Sequence, residues 1–467
     1  MINLAFSHGI RVEEISTNIQ SMLSLDSPVV VIGTAPAQSA EVANTPQICY
    51  SLNEFKTKFG WSNDWTNYTL CEAAYAFFTL YRINPVIFIN ALNPTTHKAS
   101  ATKSVTVYRN IATVSAQIVL SSLVVKSGET TLTKNTDYTA AYNNSGNLEI
   151  KIKSKNKVTN NTLALTYDEL KPAQVTKADI IAAIEGVENV YPKFQMNTSI
   201  IIAPKWSCDS EVAAVMAAAC LDINTCFKAV TFVDIPTDTV TTYDACNEYK
   251  NSNNLVDENM YVCWPKVSLG GKQYHLSTQA AALTCRVDAE NGDVPYESCS
   301  NKNLQCDAAV LANGTEVLLG KGQADFLNSV GITTALNFAG GWRLWGNYCS
   351  IYPASADPMG FLAVRKMANW ISNTLVTSFL YKVDAPINRR LVQSIVNSVQ
   401  LWLNGLTARE HILGGRIEFN ESENPTTSLL EGKLTFHLFI GYLVPAQELE
   451  FLLEFDVNYF QELFSGN

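Results

Sequence analysis

From Glu448 to Val457 the chain alternates. Leu449, Phe451, Leu453, Phe455 and Val457 fall on one face, and Glu448, Glu450, Glu454 and Asp456 on the other, with Leu452 the exception. A period of two predicts a long half-buried strand. It closes the sequence, where a strand is easily left unpaired, and exposed strands of this kind template aggregation unless they are blunted. The pattern therefore predicts a strand that needs a partner. Residues 1–27 read as a second arm. Its "HGIRVEEI" is a short strand candidate with Ile10 and Val12 on one face, and nothing nearby in sequence offers it a hairpin partner.

Between the arms the periodicities change several times. Residues 28–95 read β-α-β: "PVVVIGTAP" and "PVIFINAL" are continuous apolar runs, as in strands covered on both faces. Between them, "SLNEFKTKFG" opens with a capping-box pattern, Ser51 and Glu54. "TLCEAAYAFFTLYRI" carries a helical stripe of Leu70, Ala74, Phe77, Phe78 and Tyr81. Residues 96–172 are rich in Thr, Ser, Asn and Lys, with short alternating runs and the turn stretches "KSGET" and "NNSGN". They predict a small β-sandwich-like, all-β domain inserted into the α/β region and facing outward. Residues 173–345 return to alternating helices and strands, which predicts an open, mainly parallel sheet shared with 28–95.

Residues 346–447 read as a C-terminal α+β domain. Its first helix buries Val364, Met367, Ile371, Leu375 and Phe379. Its second has Asp384 as expected N-cap and Pro386 in the first turn, buries Leu391, Ile395, Val399 and Trp402, and is expected to stop at Gly405. Residues 448–467 form the closing arm. The expected fold is thus an α/β core sheet with helices, an inserted small all-β domain, and a C-terminal α+β domain with exchangeable terminal strands.

Composition sharpens this picture. The chain has 467 residues, 47% hydrophobic but only 16% charged. Large assembly interfaces, whose cores are depleted in charge, account for that deficit, as would an unusually large single core. A net charge of −10 argues against wrapping nucleic acid. No export signal is read in "MINLAFSHGIRVEE", and no apolar run reaches membrane-spanning length. Eight of the 11 cysteines lie between Cys208 and Cys306 with no CxxC. This spacing fits reduced core thiols better than a zinc cluster.

The α/β pattern invites an enzyme reading, or a carbohydrate-binding protein with a β accessory module. Chemistry motifs do not support it. Gly33 follows a strand without GxGxxG, and Gly320, Lys321 and Gly322 lack Walker spacing. No GxSxG occurs, and His97 and His437 have no nucleophile or carboxylate in a motif. No catalytic residue, metal site or cofactor is expected.

The segment "GITTALNFAGGWRLWGNYCSIYPASADPMGFLAVRKMANWISNTL" resembles the contractile tail sheath family of myoviruses and R-type bacteriocins. The resemblance rests on Gly331–Thr333, on Trp342, Arg343, Trp345, Gly346 and Asn347, on Asp357 and Pro358, and on the two helices that follow. "HGIRVEEI" is similar to the family's "PGVYVEEI", and "SLNEFKTKFG" to its "S-x-x-E-F-x-x-x-FG". "EGKLTFHLFIGYLVPAQELEF" is similar to its ending, with the second Pro of that ending replaced. The resemblance implies a structural subunit that polymerises as a helical cylinder around an inner tail tube and contracts to drive the tube through a cell envelope. It further implies that arm strands of adjacent subunits, here carrying Ile10, Val12, Leu449, Phe451, Leu453 and Phe455, join the C-terminal domain of a third. Expected partners are copies of the chain, the tube protein, and baseplate and tail terminator proteins, with no nucleic acid and no direct membrane insertion. The expected location is a virion tail assembled in a bacterial cytoplasm. Because the family's tubes tend to be acidic outside, Arg389, Arg390 and Arg409 are the expected tube contacts, with Arg416 and Lys433 next.

Overall fold

The computed structural model describes residues 22, 27–36, 42–338, 340–457 and 459–460. Ile10 and Val12 lie outside the described residues. At the centre is an eight-stranded sheet. Its strands are β1 (Val29–Gly33), β2 (Gln47–Cys49), β3 (Val86–Asn90), β4 (Ile200–Ile202), β5 (Val230–Asp234), β6 (Met260–Cys263), β7 (Ile332–Asn337) and β8 (Trp342–Trp345), in the order β8-β7-β6-β5-β4-β1-β3-β2. The six inner strands run parallel, and the edge strands β8 and β2 run antiparallel to their neighbours. Val30 sits beside Ile201 on one side and Ile87 on the other. Every residue of β1, β3, β4, β5 and β6 is buried, which is why these strands read as unbroken apolar runs.

Helices cover the sheet. Helix α1 (Leu52–Phe59) sets Phe55 against Phe88 of β3 with ring centroids 4.8 Å apart. Ser51 caps it by accepting the Glu54 N–H, but Glu54 reaches back to the Tyr50 N–H rather than to that of Ser51. Helix α2 (Thr69–Tyr75) continues as a π-helical turn to Tyr81 and stops where Arg82 turns left-handed. Helix α3 (Ser210–Leu221) is capped by Asp209, whose carboxylate accepts the Glu211 and Val212 N–H groups, and α4 (Leu276–Glu290) is buried along most of its length. The helical stretch that begins at Lys177 is interrupted. It runs to Ile184, tightens into a 3₁₀ stretch at Glu185–Asn189, and resumes as a short helix at Val190–Phe194.

Residues 98–170 form two antiparallel sheets. Strands Lys98–Thr106, Thr162–Leu170, Val124–Ser127 and Thr130–Leu132 make one, and Ile111–Val114, Leu148–Ile152 and Tyr138–Tyr142 the other. They share a core of their own, including Val114, Ile118, Val125, Leu148, Ile150, Leu163 and Leu165. A tight clasp ties this unit to the α/β body. The Gln117 amide donates to the carbonyls of Trp61 and Gly146, and a Cβ at Gly146 would lie 2.1 Å from the Trp61 carbonyl oxygen.

After the large sheet come α5 (Leu362–Phe379), α6 (Arg389–Ala408) and a two-stranded antiparallel sheet of β9 (Gly414–Glu418) and β10 (His437–Gly441). Helix α6 starts later than its sequence suggests. Asn388, in extended conformation, accepts the Leu391 N–H and caps it, while Asp384 sits in the left-handed region at φ 65°. It also passes through Gly405 and ends at Ala408, because Leu406 beyond the glycine is drawn into the core with Val399 and Leu403.

Helix α5 joins the two parts. On one side Lys366 bonds Asp288 of α4, Asn369 donates to the Ala229 carbonyl, and Asn373 bonds both the N–H and the C=O of Lys228. On the other side Met367 and Ile371 pack with Val399 and Leu403 of α6.

The segment before α5 is held by a buried lysine. Lys250 is 2% exposed, and its ammonium donates to the carbonyls of Val330 and Tyr352 at 2.6 and 2.9 Å. Burial lowers its pKa to about 8 from an ordinary 10.5. Between those values the unfolded chain holds a proton that the native chain has released, so this group adds stability as pH rises. Buried thiols such as Cys49, pushed up to about 12, act in the opposite sense. The lysine's share is therefore read against Lys250→Met. In thermal melts the variant should lose ground to the wild type between about pH 8 and about pH 10.5, by up to roughly 3 kcal/mol. A difference that is flat with pH would refute it.

Gly146→Ala should lower stability by about 1–3 kcal/mol, the usual cost of a strained backbone position, since φ is 80° there and the Trp61 carbonyl blocks the new Cβ. Limited proteolysis should then cut first around the loosened 98–170 unit. An unchanged melting temperature and cleavage pattern would show that the clasp carries no strain.

Candidate assembly site

The β9–β10 sheet is built on α6. Gly415 lets the helix approach, since a Cβ there would meet Leu403 at 3.1–3.3 Å. Gln400 of α6 then satisfies the outer edge of β9: its amide donates to the Gly415 carbonyl at 3.0 Å and accepts the Ile417 N–H at 3.2 Å. With 415 and 417 directed outward, the pairing of Arg416 with Phe439 is inward, and the backbone groups of Leu438 and Ile440 in β10 point away from β9. Those groups find no partner among the described residues. The β10 edge is open.

The closing arm is unpaired as well. Residues 442–457 adopt no strand within the chain, and the side chains of the alternating run stand in solvent: Leu449 is 74% exposed, Phe451 83%, Leu453 97% and Phe455 77%. Its root, residues 443–449, lines a groove of about 1280 Å³ together with Arg343, Trp345, Tyr348 and Tyr352. Tyr348 stacks on Tyr352 at 3.9 Å and on Phe361 at 4.5 Å, which makes that wall rigid.

The family-signature residues serve as scaffold around this groove. Trp342 donates through Nε1 to the Asp307 carbonyl, and Arg343 bonds the backbone and side chain of Asn301. Residues 301–304 run along the outer edge of β8 and satisfy it, through Asn301 N–H to Leu344 O, Leu344 N–H to Lys302 O, and Leu304 N–H to Trp342 O. Trp345 forms part of the groove wall. Gly346 packs on Thr333, and its carbonyl accepts the Tyr261 hydroxyl at 2.6 Å. Asn347 accepts the Leu362 N–H at the start of α5, and Asp357 caps the turn that begins at Pro358.

The basic candidates do not form one patch. Arg389 and Arg390 stand exposed in the first turn of α6, and neither forms an ion pair with another described residue. They adjoin an exposed apolar loop of Leu380, Tyr381, Val383 and Ile387. Arg409 lies at the far end of the same 20-residue helix, roughly 30 Å away at 1.5 Å per residue. Arg416 is engaged at home, bonded to Glu418 at 2.8 Å and stacked 3.8 Å over the Phe439 ring, and it holds the Glu418 carboxyl below its usual pKa. Lys433 pairs with Glu431.

Open parallel sheets bind ligands outside the carboxyl ends of their strands. Here that region is filled by groups that satisfy one another. Glu72 accepts the His275 N–H and bonds its Nδ1 at 2.9 Å, and Asp234 takes the Ser277 N–H and hydroxyl. Burial raises the Asp234 carboxyl above its ordinary pKa. His97 accepts the Asn93 N–H, and His437 bonds Glu423. Sequence patterns did not reveal Gln400 or Lys250, because a side chain that caps a distant backbone carbonyl leaves no periodic trace.

No family model matches the chain. Among curated proteins it is similar to the tail sheath protein of Burkholderia phage BcepMu, 28% identical over 499 residues, covering 99% of both chains. It is also similar to the tail sheath protein of Escherichia phage P2, 26% identical over 37% of this chain and 43% of that protein. Among solved structures it superposes on the helical sheath of the anti-feeding prophage in the contracted state, with a TM-score of 0.60 at 13% identity over 96% of this chain and 98% of that one. The contracted sheath of the PVC extracellular contractile injection system gives 0.60 at 11% identity over 98% and 99%. Sequence likeness along nearly the whole length and a shared fold agree: the chain is similar throughout to contractile tail sheath proteins.

Proposed function

We propose that this chain is the structural subunit of a contractile tail sheath, joined to its neighbours by donated strands, with no catalytic role. The observation that carries the reading is complementary exposure within one chain: an open strand edge at Leu438 and Ile440, and an unpaired alternating run at 449–457. An extended segment adds to such an edge by β-augmentation, with main-chain bonds giving affinity and alternate side chains giving register. A contact of this kind does not close on itself, so it propagates as a helix. Each apolar side chain of the run gains about 1.5–3 kcal/mol on full burial, which gives the strand a strong reason to leave solvent. The segment carrying Ile10 and Val12 supplies a second donated strand from another neighbour. It pairs outside the first or displaces Gln400 from β9. The 98–170 unit faces outward as an inserted module.

The cylinder encloses a tube, and the tip formed by residues 380–390 meets it, with Arg389 and Arg390 supplying charge. Baseplate and terminator proteins bound the two ends, and the sheath is laid down in the host cytoplasm before it becomes part of the tail.

Removing residues 448–467 should leave a folded protein that does not polymerise. Circular dichroism should show native helix content, and electron micrographs should show no cylinders. Striated cylinders from the truncated chain would sink strand donation.

Arg389→Glu with Arg390→Glu should leave contracted sheath able to form but prevent extended sheath from assembling around the tube. Each exposed pair contributes only about 0.2–1 kcal/mol, but the contacts repeat along the tube. Normal extended tails carrying the double variant would move the tube contact elsewhere.

A further inference from the structure

The large sheet has a second free-standing edge, and its treatment differs from that of β10. Strand β2 pairs with β3 on one side only. On its outer side the backbone groups of residues 46, 48 and 50 face away from β3, and charged side chains take three of them. Lys193 donates to the Pro46 carbonyl at 2.8 Å, Lys58 donates to the Ile48 carbonyl at 2.6 Å, and Glu54 accepts the Tyr50 N–H at 2.8 Å. Pro46 brings no N–H of its own. Lys58 and Glu54 also bond each other at 2.7 Å across one turn of α1, so each is held in place for its backbone contact. Exposed lysines and a proline are the usual means of blunting a sheet edge, and here the lysines occupy the acceptors that an incoming strand would use.

We propose that Glu54, Lys58 and Lys193 set the specificity of assembly: they occupy the Pro46 and Ile48 carbonyls and the Tyr50 N–H on the outer edge of β2, so that a donated strand pairs at β10 and not at β2. This rests on the strand-donation reading. A chain that carries exposed alternating segments for pairing must protect every other edge from them, since main-chain bonds do not discriminate between sheets. Of the two edges of the large sheet, β8 is covered by residues 301–304 and β2 is guarded by side-chain charge, while Gln400 caps the edge of β9.

The test uses the full-length chain with Lys58→Met and Lys193→Met, which keep the aliphatic stems and remove the donors. The pair should fold with wild-type helix content yet shift most of the protein from ordered striated cylinders to a disordered low-speed pellet. Lys58→Arg with Lys193→Arg, which retains donors, should restore cylinders. A photo-crosslinking peptide of residues 446–457 should label β10 alone in the wild type and both β10 and β2 in the Met pair. Lys193 is exposed and meets the edge through one bond. Lys193→Met alone should therefore show a smaller shift of the same kind even if the pair fails to fold. Ordered cylinders from the Met pair in wild-type yield, with labelling confined to β10, would overturn the edge lock. The two readings fail separately: cylinders from a chain lacking residues 448–467 overturn strand donation, and the Met-pair outcome speaks to the lock.

Discussion

A strand edge with unmet N–H and C=O groups is the constraint on which the rest of this structure turns. Backbone polar groups are obligatory hydrogen-bonding partners, and an edge in solvent offers them to any extended segment. Among the described edges of the large sheet and the β9–β10 sheet, three are capped from within: β8 by residues 301–304, β2 by Lys58, Lys193 and Glu54, and β9 by Gln400. The β10 edge is not, and the same chain carries a run at 449–457 whose apolar face has nothing to bury it. Each supplies what the other lacks, and the proposed strand donation pairs the run of one molecule with the edge of the next.

The proposed linkage would matter mechanically because of how the β9–β10 sheet is attached. A pull on a strand donated to β10 would pass to β9, to α6 through Gln400 and the Leu403–Gly415 contact, and to α5 through Met367, Ile371, Val399 and Leu403. From α5 it reaches the large sheet through Asn369 and Asn373, which grip the backbone just before β5, and through the Lys366–Asp288 pair. Burial raises the Asp288 carboxyl pKa while the ammonium pulls it down, and one oxygen of that carboxylate is buried without a partner. Breaking such a pair from one side leaves an uncompensated charge, so it resists separation more than its net contribution to folding suggests.

Much of this was legible in the sequence where periodicity carries it. The buried parallel strands announced themselves as unbroken apolar runs, and the alternating texture of 98–170 marked its change to antiparallel sheets. The closing run has a period of two, yet it forms no strand within the chain. What escaped was decided by contacts between distant segments. The start of α6 fell to Asn388 because local geometry chose among several capping residues, and its end moved past Gly405 because Leu406 packs. The sequence placed Arg389 and Arg390 near the start of α6 and Arg409 after its end, and the helix sets these ends roughly 30 Å apart. The guards of β2 were hidden for a different reason. Lys58 reads as half of an ordinary i, i+4 pair with Glu54, and only the fold shows that both also grip the strand before their helix.

The low charge fraction takes on a definite meaning in this light. Charged residues make up 16% of the chain, yet several sit where a backbone edge or a helix junction needs a fixed donor or acceptor: Lys58, Lys193 and Glu54 at β2, Lys250 beneath Tyr352, Lys366 between α4 and α5. In a polymer built by strand donation, a like-charged surface would repel neighbours at every repeat, whereas apolar strands left open everywhere would join without order. A chain with few charges, several of them spent on closing wrong edges, meets both demands. It lowers the repulsion between subunits and leaves the open edge, rather than the general surface, to decide which contact forms.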